Sequence, residues 1–383
     1  LVADAQWGME DAVKVPGGRR TSRSLANPIN PTRPSTGDAY LRSSIADVAR
    51  AARVSNATVS RVMNGTGGFS KATAARVFAA VKQLNYRPSF AGSALRSGRN
   101  SIVALMLTDP THAYSGAVAA SVEEALRRRG KTMVLCNTNE DPVRQDELLL
   151  EMRAHLVCGI VLLGAVQSPG LDQALRLREP IVFLVRRPPG GSLAPFVGVD
   201  DRMAGCEIAG YFLERGFRRC LLIHGPLSSS ATADRVNGFR ERFKGIRIRD
   251  DGVTILAVPA SRKEAGYALA RRYLTVSRMP QAIFCTTDEI AFGVARRCFE
   301  LGLDLRRDIT LFGFDGNPLN EFLAPWLSTV RVPYEGFGAA VGRIFDRIWA
   351  PGATEHSDAV ILPYRLSIAA VQPERKISVA TRS

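Results

Sequence analysis

Between Ser44 and Leu84 apolar residues recur at the three- and four-residue spacing of short helices. Ser44 can cap a helix over residues 45–52, with Asp47 three positions on as its capping-box partner. Ser55 can cap a second over 56–63, and Asn64-Gly65 offers a residue able to take positive φ at its end. Only Arg53-Val54-Ser55 joins the two, and Val48, Ala49, Val54, Val59 and Val62 turn inward, which is the pattern of a helix-turn-helix. A third helix over 71–84, capped by Ser70, is expected to close this core through Val77, Phe78, Val81 and Leu84.

From Ser101 onward the pattern changes to short apolar runs alternating with amphipathic stretches. The runs predict strands at 102–107, 132–136, 159–163, 181–185, 220–224, 282–285 and 310–314. Helices are predicted at 117–129, 144–154, 204–215, 262–274 and 289–301. Repeated strand–helix units imply parallel, doubly wound sheets. The span is long for one sheet, so two similar lobes are expected, with a ligand cleft at the carboxyl ends of their strands. Residues 1–43 carry no apolar period and are rich in Gly, Pro, Ser and Arg, which predicts a disordered tail. The expected division is therefore that tail, a helical head over 44–87, a linker over 88–100, a two-lobed domain over 101–373 and a polar tail over 374–383.

Charge sharpens this division. The formal net charge of the 383-residue chain is +15. Residues 44–100 hold nine cations against the single acid Asp47, more than half of that excess. Such a module suits a polyanion, and nucleic acid fits the head better than a membrane surface. The six cysteines are widely spaced, mostly within apolar runs, and read as buried thiols. No apolar stretch has the length of a membrane helix and no secretory leader is evident, so a cytoplasmic protein without membrane contact is expected. Gly130-Lys131-Thr132 ends like a phosphate loop, but Ala125 occupies the place of a required glycine. The four histidines lack metal-ligand spacing, and no acid–base pair or nucleophile elbow appears. Neither an enzyme nor a resident metal or cofactor is expected.

The segments 44–49, 54–65, 84–88 and 94–96 closely resemble the lactose-repressor (LacI) family of bacterial transcription regulators. So do Gly159-Ile160-Val161-Leu162, Val197-Gly198-Val199-Asp200, Thr286-Thr287-Asp288-Glu289 and Gly313-Phe314-Asp315, in the family's order. About 330 residues are covered. The resemblance implies a small all-α helix-turn-helix head followed by an α/β, two-lobed periplasmic-binding-protein-like effector domain. Its function would be sequence-specific repression of transcription, controlled by a small metabolite between the lobes.

In this reading Asn56, Ala57 and Arg61 meet base edges in the major groove, where Asn reads hydrogen-bonding patterns, Ala a thymine methyl and Arg a guanine. Ser44, Ser55, Thr58, Ser60 and Asn64 hold the phosphate backbone and fix register. Ser89, Gly92 and Leu95 belong to a hinge helix whose leucine either wedges into the minor groove or packs on the effector domain. Gly92, where alanine is common, lowers helix propensity there. Arg53 stands in a turn where many relatives have Gly, either accepting positive φ or sending its cation to a phosphate.

The effector residues implied are Ala113, Tyr114, Arg186, Ser229, Arg235, Thr287 and Asp315. Val185, Thr287 and Ala113 depart from the Asp, Asn and aromatic residue frequent in sugar-responsive relatives. Arg186 and Arg187 add positive charge suited to an anionic group. A sugar or sugar derivative is the first expectation, a sugar acid or nucleoside-like compound the second. A homodimer on a pseudo-palindromic double-stranded operator is expected, because few residues follow Gln372 to form a tetramerising helix. The alternatives are a solute-binding sensor with a degenerate head and an enzyme on the same lobes, the latter lacking any catalytic constellation in the sequence.

Overall fold

The computed structural model describes residues 43–86, 101–244, 252–275, 279–352 and 358–370. The expected tails and the linker residues Ser89, Gly92 and Leu95 lie outside them. The chain divides into two compact units, one ending at Arg87 and the other beginning at Pro88.

The head contains α1 (Ile45–Ala52), α2 (Asn56–Asn64) and α3 (Lys71–Gln83). The capping box forms as expected: Asp47 N–H donates to Ser44 Oγ at 3.3 Å and Ser44 N–H to Asp47 Oδ2 at 2.9 Å. Arg53 ends α1 in the left-handed region at φ 53°, and Gly65 ends α2 at φ 67°. Val48, Ala49, Ala52, Val59, Val62, Val77 and Ala80 form the core. Phe78 does not join it and is 53% exposed. The inward stripe of α3 runs through Ala74, Val77, Val81 and Leu84, and Phe78 lies about 100° around the helix from Val77, beyond that stripe's edge.

The second unit begins with β1 (Ile102–Leu107), α4 (Ala113–Arg127), β2 (Thr132–Asn137), α5 (Pro142–Ala154), β3 (Gly159–Leu163), α6 (Pro169–Arg176), β4 (Ile181–Leu184) and β5 (Phe196–Val199). It continues with α7 (Asp201–Glu214), β6 (Cys220–His224), α8 (Ser230–Phe243), β7 (Val253–Ala257), α9 (Lys263–Tyr273), β8 (Ala282–Cys285), α10 (Asp288–Glu300) and β9 (Thr310–Phe312). The elements α11 (Asn320–Leu323), β10 (Thr329–Arg331), α12 (Tyr334–Ile348), β11 (Ala359–Leu362) and β12 (Arg365–Ser367) complete it.

Two parallel sheets result, a six-stranded one ordered β11-β5-β4-β3-β1-β2 and a four-stranded one ordered β7-β6-β8-β9. Each reverses direction beside its first strand, β1 or β6, so each lobe has a topological switch point. The chain passes between lobes after β5, after β10 and after β11, the last crossing leading to the antiparallel pair β10–β12.

Two predicted strands end early. The run 181–185 stops at Leu184 because Val185 takes φ 69°, and 310–314 stops at Phe312, where Gly313 N–H turns to Ser328 C=O at 2.7 Å. The sequence reading also passed over α6, α8, α11, α12 and the strands β5, β7, β10, β11 and β12. Helices α8 and α12 carry glycines that weaken a helical reading. Their reason is close approach: a Cβ on Gly338 would lie 2.1 Å from Ser121 C=O on α4, and one on Gly238 would lie 1.9 Å from Arg202 C=O on α7.

Candidate effector cleft and DNA-reading helix

In the head, Ser55 Oγ accepts Thr58 N–H at 3.2 Å, which starts α2 with its first turn open to solvent. Val59 and Val62 face the core while Asn56, Ala57, Arg61 and Asn64 are exposed, as expected of a reading helix. Arg61 Nη2 donates to Thr58 Oγ1 at 3.4 Å and Asn64 Nδ2 to Ser60 Oγ at 3.2 Å. These bonds pair Arg61 with Thr58 and Asn64 with Ser60, and Ser55 Oγ lies 3.0 Å from Thr58 Oγ1. Ser44 lies apart from them, at the start of α1.

In the second unit a cavity of about 120 Å³ opens between the lobes. It sits at the carboxyl ends of the strands, where parallel strand ends and helix N-termini converge. Of the seven expected effector residues, Tyr114, Arg186, Ser229, Arg235, Thr287 and Asp315 line it. Ala113 does not, since the first turn of α4 presents Tyr114 and Ser115 instead. Ser229 and Thr287 are also the N-caps of α8 and α10, accepting Thr232 N–H at 3.4 Å and Ile290 N–H at 3.2 Å.

Arg235 is the fixed centre of this wall and is 5% exposed. Its Nε–H donates to Asp201 Oδ1 and an Nη1–H to Thr286 C=O, both at 2.7 Å. The guanidinium lies 3.4 Å from the centre of the Phe314 ring, and Asp315 Oδ1 is 3.7 Å from Nη1. Burial works against the charge of Arg235, but Asp201 and Asp315 hold its pKa above the ordinary value. The same burial pushes the Asp315 carboxyl well up, opposed by Arg235 and reinforced by Asp288 and Asp201. Burial likewise raises the Tyr114 hydroxyl, which therefore stays neutral. Its ring meets that of Tyr334 edge-on at 5.6 Å, and Tyr334 Oη–H donates to Asp315 C=O at 2.7 Å.

Asp288, fully buried at the first position of α10, clips the segment that carries Asp315. It accepts Asn317 N–H at 2.8 Å, Asn320 Nδ2–H at 2.9 Å and Thr329 Oγ1–H at 2.7 Å. Desolvation pushes its pKa up to about 6 against the pull of those bonds. Across the cleft, Arg186 pairs with Glu140, and Arg262 Nη2 lies 3.0 Å from Asp109 Oδ2. Arg187 pairs with Asp234 and does not line the cavity, so it supplies no free cation there.

Asp109, Glu140, Asp201, Arg262 and Asp288 were not singled out in the sequence. Asp288 stands in the segment that carries the family resemblance, and Asp201 doubles Asp200 at the end of another. The remaining three have no such marker.

Comparison with known proteins agrees with this architecture. Residues 44–89 match the model of bacterial regulatory proteins of the lacI family, and residues 209–368 match a periplasmic binding protein-like domain. The HTH-type transcriptional repressor PurR of Klebsiella pneumoniae (strain 342) is 32% identical over 308 residues, 79% of this chain and 90% of that protein. The ribose operon repressor of Escherichia coli (strain K12) is 30% identical over 314 residues, covering 80% and 93%. A crystal structure of a LacI-family transcriptional regulator from Silicibacter pomeroyi superposes with a TM-score of 0.74 at 25% identity, covering 86% of this chain and 99% of that one. A helix-turn-helix head joined to a periplasmic-binding-protein-like domain, with relatives that are named repressors aligning over both, establishes that this chain belongs to the LacI family of bacterial transcriptional regulators.

Proposed function

We propose that this DNA-binding transcriptional regulator is a cytoplasmic repressor whose operator affinity is set by a sugar-like metabolite held between its lobes. The observation that carries the reading is Arg235, fixed by Asp201 and Thr286 over Phe314, with Asp315 beside it on the same wall of the cleft. A guanidinium and a carboxyl group held side by side can bind adjacent hydroxyls, the first donating and the second accepting through an oxygen. Tyr114 offers a ring face, and Ser229 and Thr287 add hydroxyls. The ribose operon repressor among the relatives supports a sugar as the first candidate. The cleft binds its ligand without turning it over.

In the head, Asn56, Ala57 and Arg61 read base edges while Ser55, Thr58, Ser60 and Asn64 hold phosphates. Two heads on a pseudo-palindrome require a two-fold dimer. Apolar side chains left exposed on both lobes support one: Val134 and Leu135 on the edge strand β2, and Phe322 and Leu323 on α11. Because the chain crosses between the lobes three times, a ligand that favours one lobe arrangement biases the whole domain, and reciprocity then couples its binding to that of DNA.

The test is selection of genomic fragments by the purified full chain, followed by titration of candidate metabolites against the enriched site. A palindromic site released or tightened by a sugar supports the proposal. Failure to enrich any site with or without metabolites refutes the operator reading and leaves a solute sensor.

A further inference from the structure

The connection from α2 to α3, Gly65-Thr66-Gly67-Gly68-Phe69-Ser70, holds three glycines in the left-handed region, at φ 67°, 78° and 74°. Gly65 ends α2, and Gly67 has open space where a Cβ would stand. Gly68 differs. A Cβ there would lie 3.2 Å from Arg61 Nη1, inside the 3.4 Å at which ordinary contact begins, and among the described residues it would meet nothing else within 4 Å beyond its chain neighbours. The backbone around it is pinned on both sides. Gly65 N–H donates to Val62 C=O at 3.3 Å and Thr66 N–H to Arg61 C=O at 3.1 Å, the paired bonds that close a helix end. Beyond Gly68, Phe69 packs on the head core, and Ser70 Oγ accepts Thr73 N–H at 3.1 Å to start α3.

The Arg61 guanidinium thus lies between two fixed features of the head. Thr58 Oγ1 accepts Nη2–H at 3.4 Å on one side, and the bare backbone of Gly68 borders Nη1 on the other. The loop is held and the tip of an arginine swings, so a side chain at position 68 displaces the guanidinium and leaves the fold standing. Displacement matters for reading, because an arginine discriminates guanine through a fork that meets two acceptors at once. A guanidinium already seated also gives up less side-chain freedom when it binds. Taking Arg61 as a base reader, on which this inference rests, we infer that Gly68 is a positioning residue for operator recognition: its missing side chain makes the seat of the Arg61 guanidinium. The residue at position 68 therefore sets how sharply one base pair of each half-site is read.

The experiment selects sites from a randomised duplex library with the purified full chain and with its Arg61→Ala, Gly68→Ala and Gly67→Ala variants. Both glycine variants place a Cβ at nearly the same positive φ, so their melting temperatures should fall alike. Only Gly68→Ala should relax discrimination at the base pair that Arg61→Ala relaxes, by about two- to tenfold, the effect of freeing one side chain held for binding. Adding Gly68→Ala to Arg61→Ala should relax it no further. Should the alanines unfold the head, Gly67→Asn and Gly68→Asn carry the same comparison, since asparagine tolerates the left-handed region. Equal effects of the variants at 67 and 68 overturn the inference, as do additive effects of Gly68→Ala and Arg61→Ala. In both cases Arg61→Ala still changes the preference, so base reading by Arg61 stands. An unchanged preference in Arg61→Ala removes that reading and this inference with it.

Discussion

Replacing Asp288 tests whether the segment bearing Asp315 is held by one buried carboxylate. In Asp288→Ala, Asn317 N–H, Asn320 Nδ2–H and Thr329 Oγ1–H lose their acceptor together. Leaving a buried donor unpaired costs about 1–3 kcal/mol, so three give roughly 3–9 kcal/mol. Against this stands relief of the carboxylate's own desolvation. Its rise from 3.8 to about 6 corresponds to about 3 kcal/mol. The difference is a loss of roughly 0–6 kcal/mol, and at its centre, about 3 kcal/mol, the melting temperature falls by roughly 6–12 °C for a domain of this size.

Asp288→Asn should cost less, because its amide can turn toward Thr329 while its oxygen keeps the two N–H donors. The pair also carries a pH signature. A carboxyl with a folded pKa above its unfolded value takes up a proton on folding, so its unfavourable contribution is absent below about pH 4 and complete above about pH 6. Wild type should therefore gain about 1 kcal/mol on Asp288→Asn between pH 7 and pH 5. Urea denaturation of both proteins at the two pH values measures this. An alanine variant more stable than wild type, or a wild-type-to-Asn difference that ignores pH, would refute the clip.

Exchanging Asn56 and Ala57 together should change the preferred operator while non-specific binding persists, with about 1–3 kcal/mol lost for each misread base pair; site selection by sequencing decides it. Asp315→Ala should abolish the effector response and leave operator binding intact in gel-shift titration, and a retained response would displace the ligand from this cleft. Arg53→Gly should stabilise the head by about 1 kcal/mol, because φ 53° is strained for any residue with a Cβ. If the same variant also weakens DNA binding at low salt, the arginine contacts a phosphate as well.

The central strands were legible because they are buried on both faces and read as unbroken apolar runs, as in Gly159–Leu163 and Ala282–Cys285. The edge strand β7 was not, since none of its residues is buried. Helix α12 was hidden by Gly336, Gly338 and Gly342, which lower helix propensity, yet Gly338 lets it lie against α4 and Gly342 makes room for the Arg129 side chain. In the cleft, Asp315 stands in the quoted segment Gly313-Phe314-Asp315 and Arg235 was implied by the family resemblance, whereas Asp109, Glu140 and Arg262 are ordinary charged loop residues. Only the parallel topology, which gathers every strand's carboxyl end at one edge, brings them into the cavity.

Val185 shows how far a residue type can mislead when its backbone is unknown. In sequence it replaces an Asp common among sugar-responsive relatives and so reads as a lost polar contact. In the structure its φ is 69° and Arg186 N–H donates to Leu184 C=O at 2.7 Å, closing a three-residue turn about Val185. A β-branched residue is among the least suited to that region, at a cost of order 1–3 kcal/mol. The turn is imposed from outside: Val185 N–H is held by Val197 C=O at 2.9 Å, and Arg186 is drawn to Glu140. What the position contributes is thus the direction of the chain after β4, which turns Arg186 into the cleft wall. A valine can supply that direction as an aspartate would, so the pocket's shape persists while its polar lining at this point does not.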